Sequence, residues 1–140
     1  AAVAGAAPSN LITLLQGLPK WWAPLRAQFH RRVGHPVRDA ALLRRRSPLF
    51  GAARIRTPLL MFQGRNDPRV PLRESDQMVR AIRRAGGKVG YVVYPDEGHG
   101  LARPENRLDF AARTEWFLAR QLGGRAEAPE ENFEGSADER

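Results

Sequence analysis

With 140 residues and 42% hydrophobic side chains, the chain has the length of one domain and the means for a modest core. It has no cysteine, which excludes disulfides and thiolate metal sites and gives no sign of an oxidising compartment, so the assignment is cytoplasmic. The net charge of +8 is uneven, since residues 1–122 hold 21 basic and 9 acidic side chains while residues 123–140 hold 2 and 6.

No apolar run approaches the ~20 residues of a membrane-spanning helix, so no membrane partner is expected. Of the 23 basic residues only Lys20 and Lys88 are lysine. The arginines are spread over several helical faces rather than gathered with aromatics into one stripe, and nucleic acid is not expected as a partner. The opening Ala1–Ala7 has the small residues of a signal-peptide tail. It lacks a basic n-region, a proper h-region and a methionine, and reads as the interior of a longer chain.

In chain order, Ala1–Ala7 suits a short buried strand, and Pro8-Ser9-Asn10 offers turn and N-cap chemistry for a helix over Leu11–Gln16. Gly17 and Pro19 break it. Trp22, Leu25, Phe29 and Val33 recur at three and four residues and predict a helix over Lys20–Val33. Gly34-His35-Pro36 interrupts, and a third short helix runs from about Val37 to Arg45, with Arg44-Arg45-Arg46 read as a solvated helix end.

The run Leu59–Phe62 lacks period-two alternation, as expected of a strand covered on both faces. Pro71 suits a first helical position, and Leu72, Met78, Val79 and Ile82 form one apolar side of a helix that Gly86-Gly87 ends. Val89–Tyr94 is a second apolar strand, and Pro104 opens a long helix, with Phe110, Trp116 and Phe117 on it, that Gly123-Gly124 stops. Strand, helix, strand, helix with short connections predicts right-handed βαβ crossovers and a parallel sheet with helices on both faces. Residues 1–122 are thus read as one partial α/β domain. Residues 123–140, rich in Glu, Ala, Pro, Asn and Ser, are read as a disordered acidic tail.

Ligands of open parallel sheets bind beyond the carboxyl ends of the strands. Asp67, in Gly64-Arg65-Asn66-Asp67-Pro68, follows one such end, and His99, in Tyr94-Pro95-Asp96-Glu97-Gly98-His99-Gly100, follows the next. An imidazole held by a carboxylate on one ring nitrogen can take a proton from a hydroxyl nucleophile with the other and later return it. The order Asp then His on consecutive βα loops is that of α/β-hydrolases.

Thr57-Pro58-Leu59-Leu60, Gly64–Pro71, Tyr94–Gly100 and Arg103-Pro104-Glu105-Asn106-Arg107 resemble the C-terminal catalytic region of the prolyl oligopeptidase family of serine peptidases. The similarity is closest to its acylaminoacyl-peptidase and dipeptidyl-peptidase-like branch. Pro8-Ser9-Asn10-Leu11 and Trp22-Ala23-Pro24-Leu25 resemble the segment after the nucleophile helix of the same family. The resemblance implies an α/β-hydrolase domain that cleaves peptides without a cofactor, with Asp67 as triad acid and His99 as triad base.

A nucleophile elbow needs Gly-x-Ser-x-Gly between a strand and a helix, and none of Ser9, Ser47, Ser75 and Ser136 has that context. The elbow and the oxyanion loop are therefore expected upstream, in a further part of the same domain, and the chain alone is not expected to turn over peptides. An esterase-type α/β-hydrolase, or a non-catalytic remnant or interaction module, are the alternatives. Asp96 and Glu97 lie too near His99 in the chain to orient its ring easily, and Asp76 is read as solvated on its helix. His30 and His35 are read as surface or capping residues, since their spacing does not match a helical i, i+4 metal face. Trp21 and Trp22 are read as core or lid packing.

Overall fold

The computed structural model describes residues 1–129 and 136–140. Three strands, β1 (Ala2–Gly5), β2 (Leu59–Gly64) and β3 (Val89–Tyr94), lie side by side in that order and run parallel. A two-residue strand, β4 (Asp138–Glu139), joins the far side of β3 in the antiparallel sense. The helices are α1 (Leu11–Gln16), α2 (Arg26–Arg32), α3 (Ala40–Arg46), α4 (Leu72–Arg84) and α5 (Pro104–Leu122).

Successive strand residues point to opposite faces, and here both faces are apolar. Leu60, Val92 and Tyr94 pack on one face with Phe62 and with Phe110 and Phe117 of α5. Met61, Tyr91 and Val93 pack on the other with Met78, Val79 and Ile82 of α4. This two-sided cover is why the strands read as continuous apolar runs, and it places helices on both faces of the sheet. Among the described residues, no helix is long and apolar enough to cross a membrane.

A third cluster lies among the short helices, where Leu15, Leu18 and Leu43 meet Trp22, Phe29 and Val33. Glu74 ties this layer to α4. Its carboxylate is fully buried and accepts from the N–H groups of Ser9 (3.1 Å) and Asn10 (2.9 Å), from the Thr13 hydroxyl (2.5 Å) and from the Gln77 amide (2.9 Å). The start of α1 is thereby fixed by a side chain more than sixty residues away.

Four expectations are corrected. Lys20–Val33 is not one helix: Lys20–Leu25 is a 3-10 segment containing Pro24, and α-helix begins only at Arg26. A proline brings no N–H and disfavours α geometry in the residue before it. The third helix begins at Ala40 rather than Val37, because the Val37 and Arg38 N–H groups donate to His35 Nδ1 (3.2 and 3.3 Å) in a turn. Strand β1 is exposed to half-buried rather than buried, having one neighbour among the described strands.

The fourth concerns the acidic tail. Residues 130–135 of it lie outside the described residues, but residues 136–140 do not stand apart. They pair with β3, whose outer backbone groups and nearby arginines offer partners that a count of the tail's own apolar surface omits.

Replacing Glu74 with alanine removes the acceptor of four donors, two of them backbone groups at buried residues. At ~1–3 kcal/mol for each buried donor left unsatisfied, Glu74→Ala lowers stability by about 3 kcal/mol or more. The fall appears as a lower urea midpoint; an unchanged midpoint would show that water fills the carboxylate's place.

Candidate active site

The loops after β2 and β3 are stitched together by their backbones. The Arg65 N–H donates to Tyr94 O (2.9 Å), the Asn66 N–H to Glu97 O (2.9 Å), and the Asn66 side-chain amide to Pro95 O (2.8 Å). The approach is so close that a Cβ on Gly64 would sit 2.1 Å from Gly98 O and 2.7 Å from Glu97 O. Only glycine fits there without moving one loop off the other.

Asp67 has no exposed side-chain surface, and its two oxygens are fully used. Oδ1 accepts from the N–H groups of Arg69 (2.8 Å) and Val70 (2.9 Å). Oδ2 accepts from Gln63 Nε2 (3.1 Å) and lies 2.8 Å from His99 Nδ1. Gln63 is itself fully buried at the end of β2, and its Oε1 accepts from the buried hydroxyl of Ser75 on α4 (2.9 Å). Burial pushes the Asp67 carboxyl up, but the Val70 N–H, the His99 ring and the Arg69 N–H together outweigh it and hold it below its ordinary 3.8.

An ionised carboxylate can only accept, so Nδ1 of His99 carries the proton of their contact, and in the neutral ring Nε2 then has the lone pair. The His99 side chain is 33% exposed. The backbone of the histidine loop is pinned by a second buried carboxylate. Glu97 accepts from the N–H groups of Ala102 (2.9 Å) and Arg103 (2.9 Å) and from Asn106 Nδ2 (2.8 Å), which anchors the loop to the start of α5. Burial pushes this carboxyl up too, and the same three donors bring it below its ordinary value. Gly100 has φ 119°, a conformation other residues rarely adopt.

The other sequence candidates lie elsewhere. Asp96 pairs with Arg103 (2.9 Å) and accepts from Asn106 (3.1 Å), away from the ring. Asp76 is not solvated: it is half-buried and accepts from the Tyr91 hydroxyl at 3.0 Å. His30 and His35 stack edge to face at 4.7 Å, with His35 Nδ1 turned to the backbone. Trp22 stacks on Phe29, while Trp21 is 58% exposed. Among the described residues, no group of three His, Asp or Glu side chains is placed to hold a metal ion.

Each serine hydroxyl is committed away from His99. Ser9 donates to Glu74 O, Ser47 to Leu43 O and Ser75 to Gln63, and the Ser136 hydroxyl lies against Asp96. Sequence reading did not single out Gln63, Ser75, Glu97 or Asn106 as part of the site. Gln63 alone carried a signal, as the one amide in an otherwise apolar strand.

Residues 1–125 match the prolyl oligopeptidase family. Over 132 residues the chain is 52% identical to dipeptidyl aminopeptidase BIII of Pseudoxanthomonas mexicana, an alignment covering 93% of this chain and 19% of that protein. Over 120 residues it is 43% identical to dipeptidyl peptidase family member 6 of Caenorhabditis elegans, covering 84% and 16%. The fold is similar to part of a puromycin-hydrolyzing peptidase of Mycobacterium tuberculosis, with a TM-score of 0.80 at 24% identity over 92% of this chain and 19% of that one. The chain thus spans less than a fifth of the length of each of these proteins.

Two measurements test the geometry. Gly64→Ala forces the loops apart and costs ~1–3 kcal/mol, as overpacking against fixed atoms does; the shift reads out as a lower thermal midpoint, and unchanged stability would contradict the close approach. Asp67 contributes stability that is full above its ordinary 3.8 and lost as pH falls through its lower folded value. The acid loss of stability below pH ~4 is therefore shallower in Asp67→Asn than in the unsubstituted chain, with a residual slope from Asp96 and Glu97, which are shifted the same way.

Proposed function

The chain belongs to the prolyl oligopeptidase family, and from that premise we propose that it forms part of the catalytic domain of a serine peptidase, with Asp67 as the acid and His99 as the base of its triad. The observation that carries this reading is the 2.8 Å contact between His99 Nδ1 and Asp67 Oδ2, made between loops that leave neighbouring parallel strands. It leaves Nε2 with a lone pair on a partly exposed ring, the arrangement a general base requires.

In the proposed reaction, Nε2 takes the proton of a serine hydroxyl as that oxygen attacks a peptide carbonyl. Ionised Asp67 holds the ring in the tautomer this needs and stabilises the imidazolium that forms. The proton then passes to the departing amine, and a water repeats the sequence to release the acyl group. With all four serines of this chain engaged elsewhere, the nucleophile and its oxyanion donors come from outside these 140 residues, in a further part of the same domain. Residues 1–122 then act as one portion of the hydrolase domain and the acidic segment after them stands outside its catalytic core. On this reading the chain by itself is inactive.

The names of the two relatives quoted above, 52% and 43% identical, favour the release of dipeptides from the N-termini of peptides over the removal of single acylated residues. The complete protein is then expected to cleave dipeptidyl anilides with a free amino terminus faster than acyl-aminoacyl anilides or simple acyl esters. Faster turnover of the esters would favour an esterase.

In the same complete protein, Asp67→Asn lowers kcat by roughly four orders of magnitude, as loss of the orienting carboxylate does in such triads, and His99→Ala is at least as damaging. Full activity in either variant, with folding confirmed by circular dichroism, would remove that residue from the triad.

A further inference from the structure

Residues 20–56 hold ten lysine and arginine side chains and one acidic residue, Asp39, so this stretch carries more net positive charge than the whole chain. All ten basic residues are exposed. Among the described residues none of the ten is paired with a carboxylate, whereas Arg65, Arg73, Arg103, Arg113 and Arg140 all are. Asp39 is half-buried, and its Oδ2 accepts from the His35 N–H (2.7 Å). The excess charge is therefore local, and it is turned to solvent.

The position of this layer follows from the sheet. Strands β1, β2 and β3 run parallel, so the residues after β1 leave from the same end as the loops bearing Asp67 and His99. Buried Glu74, in the first turn of α4 just after the turn that bears Asp67, holds the N–H groups of Ser9 and Asn10. The next N–H, of Leu11, donates to Ser47 Oγ (2.9 Å), which brings the end of α3, Arg44-Arg45-Arg46, beside the start of α1. The basic layer is thus moored to the end of the sheet where Asp67 meets His99. Exposed charge acts over about 10 Å at 0.1 M salt and about 30 Å at 0.01 M. A site flanked by one sign of charge gathers ligands of the other.

Resting on the reading of this chain as part of a peptidase, we propose that the basic layer of residues 20–56 is a collecting surface for acidic peptides, drawing substrates rich in Asp and Glu to the site ahead of neutral ones. Release of a dipeptide leaves the rest of the substrate outside the site, where this field acts on it. A polynucleotide fits less well. It calls for phosphate contacts along one stripe and for aromatic rings free to stack on bases. Here the arginines lie on separate helices, and Trp22 is stacked on Phe29. A peptide rich in carboxylates is attracted by the field without either.

The test uses the complete protein and peptides that share an N-terminal half and differ in a following run of Glu, Gln or Lys. At about 0.01 M salt the Glu peptide exceeds the Gln peptide about tenfold in kcat/KM and the Lys peptide falls below both, with kcat alike for all; at about 1 M salt they converge. Two variants on different helices, Arg31→Glu with Arg32→Glu and Arg45→Glu with Arg46→Glu, each cut the Glu advantage to about threefold or less. Cleavage of the Gln peptide is unchanged in both. Equal kcat/KM for the Glu and Gln peptides at low salt would overturn the proposal and leave the peptidase reading in place, as would a Glu advantage that neither salt nor the variants alter. If no peptide is cleaved, the peptidase reading falls, and fluorescence anisotropy of a labelled Glu peptide decides the surface by itself. Binding that salt and both variants weaken sustains the surface as a binder of acidic peptides, and no binding overturns it. Tighter binding of a single-stranded oligonucleotide of equal charge would overturn it in favour of nucleic acid.

Discussion

The carboxylate of Asp67 is the point on which the site is hung. A charge without exposed surface is tolerated in a protein only when its oxygens are fully engaged. Asp67 meets that condition with donors from three sources: two N–H groups of its own turn, the Gln63 amide at the end of β2, and the His99 ring from the loop after β3. Removing any one leaves an unbalanced charge inside the fold. The same demand explains a fully buried glutamine in an otherwise apolar strand: Gln63 donates to Asp67, Val70 O and Gly64 O and accepts from Ser75.

Fixing Asp67 would not fix its contact with His99 if the loop bearing the histidine could drift. Two constraints prevent it. Gly64 lets the turn after β2 lie against Glu97 and Gly98 at a distance no side chain allows, so the separation of the loops is set by backbone contact. Glu97, buried and fully accepting, then fastens the far end of the histidine loop to α5. The loop is thus pinned before and after His99, and the ring between the pins is the part that meets solvent. Asn106 joins this network to the β3 edge, since its amide donates to Glu97 while its Oδ1 accepts from the Ser136 N–H (2.9 Å).

What could be read from the sequence divides along the range of the interactions responsible. Leu59–Gly64 and Val89–Tyr94 announce themselves as strands through unbroken apolar runs, and Gly86-Gly87 and Gly123-Gly124 mark helix ends, because those signals are local. Asp67 and His99 stand out because each sits a few residues past a strand end in a glycine-bearing loop. Glu74 gave no such sign. On a helix face it looks like any solvated glutamate, and only the arrival of Ser9 and Asn10 from the other end of the chain makes it the anchor of α1. The nearness of Glu97 to His99 in the chain argues against its orienting the ring, and that nearness is what lets it shape the loop. Asp76 looks solvated in the sequence, where nothing signals that Tyr91 reaches it. The break at Pro24 is a local signal too, set against the helical spacing of Trp22, Leu25 and Phe29, and in the structure the proline prevails.

The network has one further property that follows from where its members lie. Every group that fixes the Asp67–His99 contact, from Gln63 and Gly64 through the Arg69 and Val70 amides and Ser75 to Glu97 and Asn106, falls within a single βαβα stretch between residues 63 and 106. None belongs to β1 or to the short helices before β2. Asp67 and His99 are therefore set in place by their own part of the fold. An orienting pair gains its advantage by being fixed before the reaction begins, so that no reorganisation is required as charge develops on the ring. A contact assembled in one continuous segment meets that requirement more simply than one dependent on distant parts of the chain.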